Sequence, residues 1–196
     1  MPERKTEKHM KLGVLVSGTG SILEAMIREH VPIALVATDR ECRALEIAKN
    51  AGIPTELVER ADFGANFDRE GYTKKLVHTL TKHRVELVAM SGFMTFLSKE
   101  FFDHFGERVL NTHPSLLPLF KGDHAVADAL KAGAKETGCT LHIATEKLDE
   151  GKILAQEKVP VMPGDTVETL HERIKEAERK IYPRILKDIL SGNLAP

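Results

Sequence analysis

Apolar residues along this chain alternate between short unbroken runs and longer stretches in which they recur every three or four positions. The first run, Leu12-Gly13-Val14-Leu15-Val16, predicts a strand buried on both faces of a sheet. Comparable runs predict strands over 33–38, 54–58, 85–90 and 109–112. Between them, Leu23, Ala25, Met26 and Ile27 predict a helix reaching about residue 30. A second helix runs from residue 39 or 40 to about 51, with Gly52 as its C-terminal stop. Tyr72, Leu76 and Leu80, with Val77 beside them, predict a helix over 67–83. Ser98 is placed as the N-cap of a short helix ending at residue 105, and Asp123 as the cap of another over 124–131.

Strand and helix therefore alternate as far as Gly133, the signature of a parallel doubly wound sheet. The remainder differs. Strand candidates over 140–145 and 153–161 have only a polar loop between them, which predicts an antiparallel pair. Asp165-Thr166-Val167-Glu168 has the form of a capping box opening a long helix, whose apolar stripe runs from Val167 through Leu170, Ile174 and Ala177 to Ile189. Pro183 lies inside that stripe and predicts a kink. The fold class is α/β: a doubly wound, mostly parallel, Rossmann-like sheet with an antiparallel C-terminal strand pair and a long C-terminal helix. There are no internal repeats or linkers, so the expectation is one domain over 11–196 behind a disordered leader over 1–10.

Composition narrows the function. At 196 residues and 42% hydrophobic, the chain can bury a full core. A formal net charge of −1 argues against nucleic acid or an anionic membrane as a partner. No apolar stretch approaches the roughly 18 residues of a membrane span. Cys42 and Cys139 form neither a CxxC nor a metal-binding spacing. A cytoplasmic protein is expected.

Two stretches carry candidate chemistry. In Asn111-Thr112-His113-Pro114, residues 111 and 113 share one face of an extended backbone, and Pro114 turns the chain into a loop. An amide donor and an imidazole thus meet at a strand's carboxyl end, where open α/β sheets bind ligands. Ser17-Gly18-Thr19-Gly20-Ser21 joins a buried strand to a helix, an arrangement that directs backbone N–H groups at an anion. A dinucleotide-dependent oxidoreductase would use such a turn, but Leu23 stands where a third glycine belongs, and Asp39 alone is placed to end the second strand with an acid. Ser115 lacks the flanking glycines of a hydrolase elbow. From spacing alone, Asp149 is a turn carboxylate in a polar loop.

Asn111-Thr112-His113-Pro114-Ser115-Leu116-Leu117-Pro118 with a downstream Leu148-Asp149-Glu150-Gly151 resembles the 10-formyltetrahydrofolate-dependent formyltransferases. The similarity extends from Leu12 to about Leu190 and includes Ser91-Gly92-Phe93-Met94, Glu136-Thr137-Gly138 and the 178–183 segment. Ser17-Gly18-Thr19-Gly20-Ser21 narrows it to the branch that formylates glycinamide ribonucleotide in purine synthesis. The resemblance implies Asn111, His113 and Asp149 as a catalytic trio, and Gly20, Ser21 and Ile22 at the substrate phosphate. It implies Glu178 near the ribose, and Arg69, Met94, Thr95, Phe96, Leu97 and Asn111 at the folate. His124 also matches, as a secondary histidine. The partners implied are the small molecules glycinamide ribonucleotide and 10-formyltetrahydrofolate, the latter as cosubstrate, with no metal and a monomer or homodimer as the working unit.

The chain departs from the pattern at Ile22, where asparagine is common, and at Thr95, where arginine is common. Lys121 and Lys152 replace prolines, which loosens both loops. Formyl transfer to an amine passes through a tetrahedral intermediate. Asn111 can hydrogen-bond its oxyanion, His113 can move the proton between nitrogens, and a carboxylate at Asp149 favours the charged imidazole. Rival readings are a 10-formyltetrahydrofolate hydrolase, another formyltransferase of the same fold, and an idle folate-binding module. Hydrolases and methionyl-tRNA formyltransferases usually carry a further domain, for which the chain is expected to have no room.

Overall fold

The protein is described here from a computed structural model covering residues 10–64 and 66–196. Most of the expected leader lies outside these residues. Met10, its last member, packs against the core. In chain order the elements are β1 Leu12–Val16, α1 Ser21–Arg28, β2 Ile33–Thr38, α2 Arg43–Asn50, β3 Thr55–Leu57, α3 Arg69–Lys82 and β4 Leu87–Met90. Then follow α4 Lys99–Phe105, β5 Val109–His113, α5 Ala125–Lys131, β6 Glu136–Ile143, β7 Ile153–Pro160 and α6 Val167–Leu190.

The strands form one seven-stranded sheet in the order β3-β2-β1-β4-β5-β6-β7. Pairings from β3 to β5 are parallel, and β6 runs antiparallel to both β5 and β7. Because the chain moves outward from β1 to β3 and then returns to place β4 beside β1, the winding direction reverses between β1 and β4. A crevice opens at the carboxyl ends of strands at such a reversal.

Alternating side chains divide the core. Val14 and Val16 face the layer of α1, α2, α5 and α6, where Leu23, Ala44, Val126, Leu170, Ile174 and Leu186 are buried. Leu15 faces the layer of α3 and α4, with Leu76, Leu80, Phe101 and Phe105. The Tyr182 hydroxyl lies 3.0 Å from both the Met90 and Leu110 carbonyl oxygens, so α6 is tied to the strands that end at the crevice. No helix among the described residues is long and apolar enough to cross a membrane.

Several expected boundaries shift for local reasons. The strand expected over 140–145 begins at Glu136, since seven residue pairs from Glu136↔Pro160 to His142↔Ile153 join it to β7. Val85 does not enter β4, because its N–H closes the end of α3 on the Leu80 carbonyl. The capping box of α6 is Thr166 with Thr169, one residue later than expected. Asp165 instead receives both Arg173 Nη1 and Nη2 at 2.8 Å. Asp123 does not cap α5. His124 occupies that position and makes no side-chain cap bond. Ser98 precedes α4 as expected, also without a side-chain cap bond. α6 continues through Pro183.

Candidate active site

A cavity of about 540 Å³ occupies the crevice at the ends of β1, β4 and β5. One wall is the turn from β1 into α1. Gly20 is the N-cap of α1 with φ 74°, a left-handed conformation that disfavours a side chain. A Cβ there would also come within 3.0 Å of Ala44 Cβ and Ile47 Cδ1. Ile22 turns its side chain into the core, so it can offer a ligand at this end only its backbone N–H. Gly20→Ala is therefore expected to lower Tm by about 2–6 °C through backbone strain and contact with α2. It should also weaken binding of a phosphate ligand. Gly18→Ala is the control, since its Cβ meets nothing within 4 Å. Thermal melts with and without a phosphate ligand check this, and equal effects of the two changes would contradict it.

The opposite wall is the segment after β4. Met94 and Phe96 are 63% and 50% exposed, while Thr95 and Leu97 between and after them are 4% and 7% exposed. Leu97 does not reach the main cavity and lines a smaller adjoining one of about 130 Å³, together with Phe96, Thr145 and Leu148.

The floor is the end of β5. Asn111, Thr112 and His113 all line the cavity. His113 Nδ1 is 3.3 Å from Asp149 Oδ2, and its Nε2 is 2.8 Å from the Phe120 carbonyl oxygen. Both neighbours are acceptors, so both contacts are hydrogen bonds only when each ring nitrogen carries a proton. Asp149 Oδ2 also accepts the Gly122 N–H at 2.9 Å. Asp149 itself has φ 55°. Two residues on, Gly151 passes so close to β6 that a Cβ would overlap the Ile143 carbonyl oxygen, which explains glycine at the end of Leu-Asp-x-Gly.

His142 lies beside this group, opposite Asn111 in the β5–β6 pairing. Burial holds its imidazole below the ordinary pKa, partly offset by the Ile143 carbonyl contact and the Asp149 charge. Nδ1 is 3.0 Å from the Ile143 carbonyl oxygen, which places the proton of the neutral ring there. Nε2 is then left to accept from Asn111 Nδ2 at 3.4 Å, which orients the amide.

The last wall is α6, which presents His171, Lys175 and Glu178 at helical spacing. Glu178 accepts from Thr112 Oγ1 at 2.8 Å. Burial pushes its carboxyl up to about 7, against the lowering effect of that hydrogen bond and of Lys175 and Arg179. Burial, and then the Lys175 charge, hold His171 below the ordinary imidazole value.

The structure thus gathers Gly20, Ser21, Ile22, Met94, Thr95, Phe96, Asn111, His113, Asp149 and Glu178 around one cavity. Arg69 opens α3 and His124 precedes α5, and neither lines it. Sequence reasoning missed His142, His171 and Lys175. The two α6 residues were accessible by stepping back seven and three positions from Glu178. His142 was not, because only the strand register sets it against Asn111.

Residues 10–186 match the formyl transferase family. A phosphoribosylglycinamide formyltransferase of Mycobacterium tuberculosis is 45% identical over 87% of this chain and 80% of its own length. The crystal structure of a phosphoribosylglycinamide formyltransferase from Anaplasma phagocytophilum superposes with a TM-score of 0.86 at 40% identity, covering 94% of this chain and 89% of that one. Glycinamide ribonucleotide transformylase 1 from Symbiobacterium toebii gives a TM-score of 0.89 at 35% identity, over 100% and 94% of the two chains. Sequence and fold agree over nearly the whole length, and the chain belongs to the formyl transferase family.

Proposed function

We propose that this protein transfers the formyl group of 10-formyltetrahydrofolate to the amine of glycinamide ribonucleotide, a step of purine biosynthesis carried out in the cytoplasm. The products are N-formylglycinamide ribonucleotide and tetrahydrofolate. The observation that carries this reading is the placement of Asn111, His113 and Asp149 between a glycine turn at a helix N-terminus and a partly apolar wall, within one cavity.

The phosphate binds the backbone N–H groups at the start of α1, with Lys175 and His171 across the cavity to supply positive charge and hydrogen bonds. The ribose hydroxyls reach Glu178. The pterin end of the cosubstrate lies between Met94–Phe96 and Leu148. The amine nitrogen attacks the formyl carbon, and the Asn111 amide stabilises the oxyanion that forms, a role worth about 3–4 kcal/mol in comparable sites. The bond from carbon to the folate nitrogen then breaks. His113, held by Asp149, passes a proton from the attacking nitrogen to the leaving one. For this its ring must exchange the Phe120 carbonyl for the reacting atoms. No metal enters this chemistry.

The test is an assay of the purified protein with both substrates, following tetrahydrofolate and formylated ribonucleotide together. Equal amounts of the two products are expected, with no tetrahydrofolate when the amine is omitted. Release of formate without amine would identify a hydrolase instead.

A further inference from the structure

Asp39 follows β2, has no exposed surface and takes no part in the proposed chemistry. A carboxylate buried this completely persists only when its lone pairs are satisfied. Arg40 supplies two bonds, Nε to Oδ1 and Nη2 to Oδ2, each of 3.0 Å. Thr95 Oγ1 donates to Oδ2 at 2.7 Å. The Ser17 hydroxyl also bonds this carboxylate. Burial pushes the Asp39 carboxyl up, but the hydrogen bonds from Arg40, Thr95 and Ser17 outweigh it and hold it ionised, below the ordinary carboxylate range.

These contacts close a ring. Ser17 Oγ accepts the Met94 N–H at 2.9 Å, and Met94 is followed by Thr95, whose hydroxyl returns to Asp39. The Ser17 N–H is also bonded to the Gly92 carbonyl, so the segment after β4 is held from both sides. The consequence is directional. With the Thr95 side chain drawn inward, alternation along an extended backbone turns Met94 and Phe96 outward. Both residues line the cavity. Thr95 stands where the family pattern commonly has arginine, and in this chain its hydroxyl serves the buried acid.

We infer that Asp39 is a positioning residue for the one-carbon donor, acting through Thr95 and Ser17 to set the Met94–Phe96 wall against which the folate binds. This rests on the placement of the cosubstrate proposed above. Asp39 touches no reacting atom, and its influence through Thr95 falls on donor binding.

The test compares Thr95→Val, which keeps the shape and removes the hydroxyl, with Thr95→Ser, which keeps the hydroxyl, and with Asp39→Asn. For each, KM is measured for both substrates, with kcat, Tm and the calorimetric Kd for tetrahydrofolate. Thr95→Val is expected to raise the donor KM and the tetrahydrofolate Kd about tenfold, the effect of losing a hydrogen bond to a charged group. The ribonucleotide KM should stay within about twofold, since the Thr95 hydroxyl bonds Asp39 and Arg60 and makes no contact with the turn from β1 into α1. Thr95→Ser should restore the donor KM. Asp39→Asn combined with Thr95→Val should cost little more than the worse single change, because the two residues act through one bond. If both KM values rise together in step with a fall in Tm, the network is only structural and the inference is overturned. Unchanged tetrahydrofolate binding in Thr95→Val overturns it as well. A parent protein that binds no folate overturns this inference and the proposed function together, whereas a parent that binds it while Thr95→Val is unaffected overturns this inference alone.

Discussion

Asp149→Asn is expected to lower kcat by about 10²-fold or more, the scale of general acid–base assistance. The carboxylate faces two donors at once through Oδ2, His113 Nδ1 at 3.3 Å and the Gly122 N–H at 2.9 Å. Asparagine has the same size but one acceptor oxygen and no charge. Its oxygen, placed where Oδ2 stands, can still accept from both donors, while its NH₂ group takes the place of Oδ1. The negative charge that balances an imidazolium in a buried site is gone. Both KM values should stay within about threefold, because the interaction matters most when charge develops in the transition state. His113→Ala should cost a similar factor, and the double variant should be little worse than either single one. Steady-state rates of the three variants decide the matter. An undiminished kcat in Asp149→Asn would return Asp149 to the status of a turn residue.

Glu178→Gln is expected to stabilise the ligand-free protein by about 2–3 kcal/mol above pH 7 while weakening the ribonucleotide site. The sign follows from burial. The folded carboxyl titrates at about 7 against an ordinary 4.5, so the folded state holds its proton where the unfolded state has lost it. Stability therefore falls as pH rises from about 4.5 to 7, by roughly 1.4 kcal/mol per unit at most, and levels off above. Glutamine keeps an acceptor for Thr112 Oγ1 and cannot ionise, so this slope disappears. The parent and variant should agree near pH 4.5 and diverge upward. Denaturant unfolding at intervals between pH 5 and 9 measures it, and parallel curves would refute it. The energetic logic is that of a site kept less stable than it could be. A buried carboxylate with one hydroxyl donor has acceptor capacity left for the hydroxyls of a ribose. In the proposed reading, the ribonucleotide KM of Glu178→Gln should rise about tenfold even as its stability improves.

The alternation of strands and helices, the reversal to an antiparallel tail and the glycine turn were all legible in the chain, because each depends on neighbours within a few residues. Leu12 to Val16 have the short apolar run typical of a buried strand, and Val167 to Ile189 carry a helical stripe. Asn111 and His113 share a face because a strand alternates, so that pair needed no tertiary information. Caps were harder, since Thr166 and Asp165 are both good N-cap residues, and Arg173 decides between them by engaging Asp165 from two turns away. Roles for Asp149 and Glu178 came only through resemblance, because nothing local marks either as more than a loop or helix carboxylate.

What the tertiary structure alone decided is which distant side chains meet. The β5–β6 register sets His142 against Asn111, and a slip of one residue would have turned its ring to the other face. The return of the chain to place β4 beside β1 brings Thr95 to Asp39 across 56 residues of sequence, and the packing of α6 over β5 brings Glu178 to Thr112 across 66. Periodicity determines which face of an element is buried, since burial is an average over many positions. A hydrogen bond requires particular atoms within about 3 Å, and that depends on strand order and helix packing, which no short stretch of this sequence encodes.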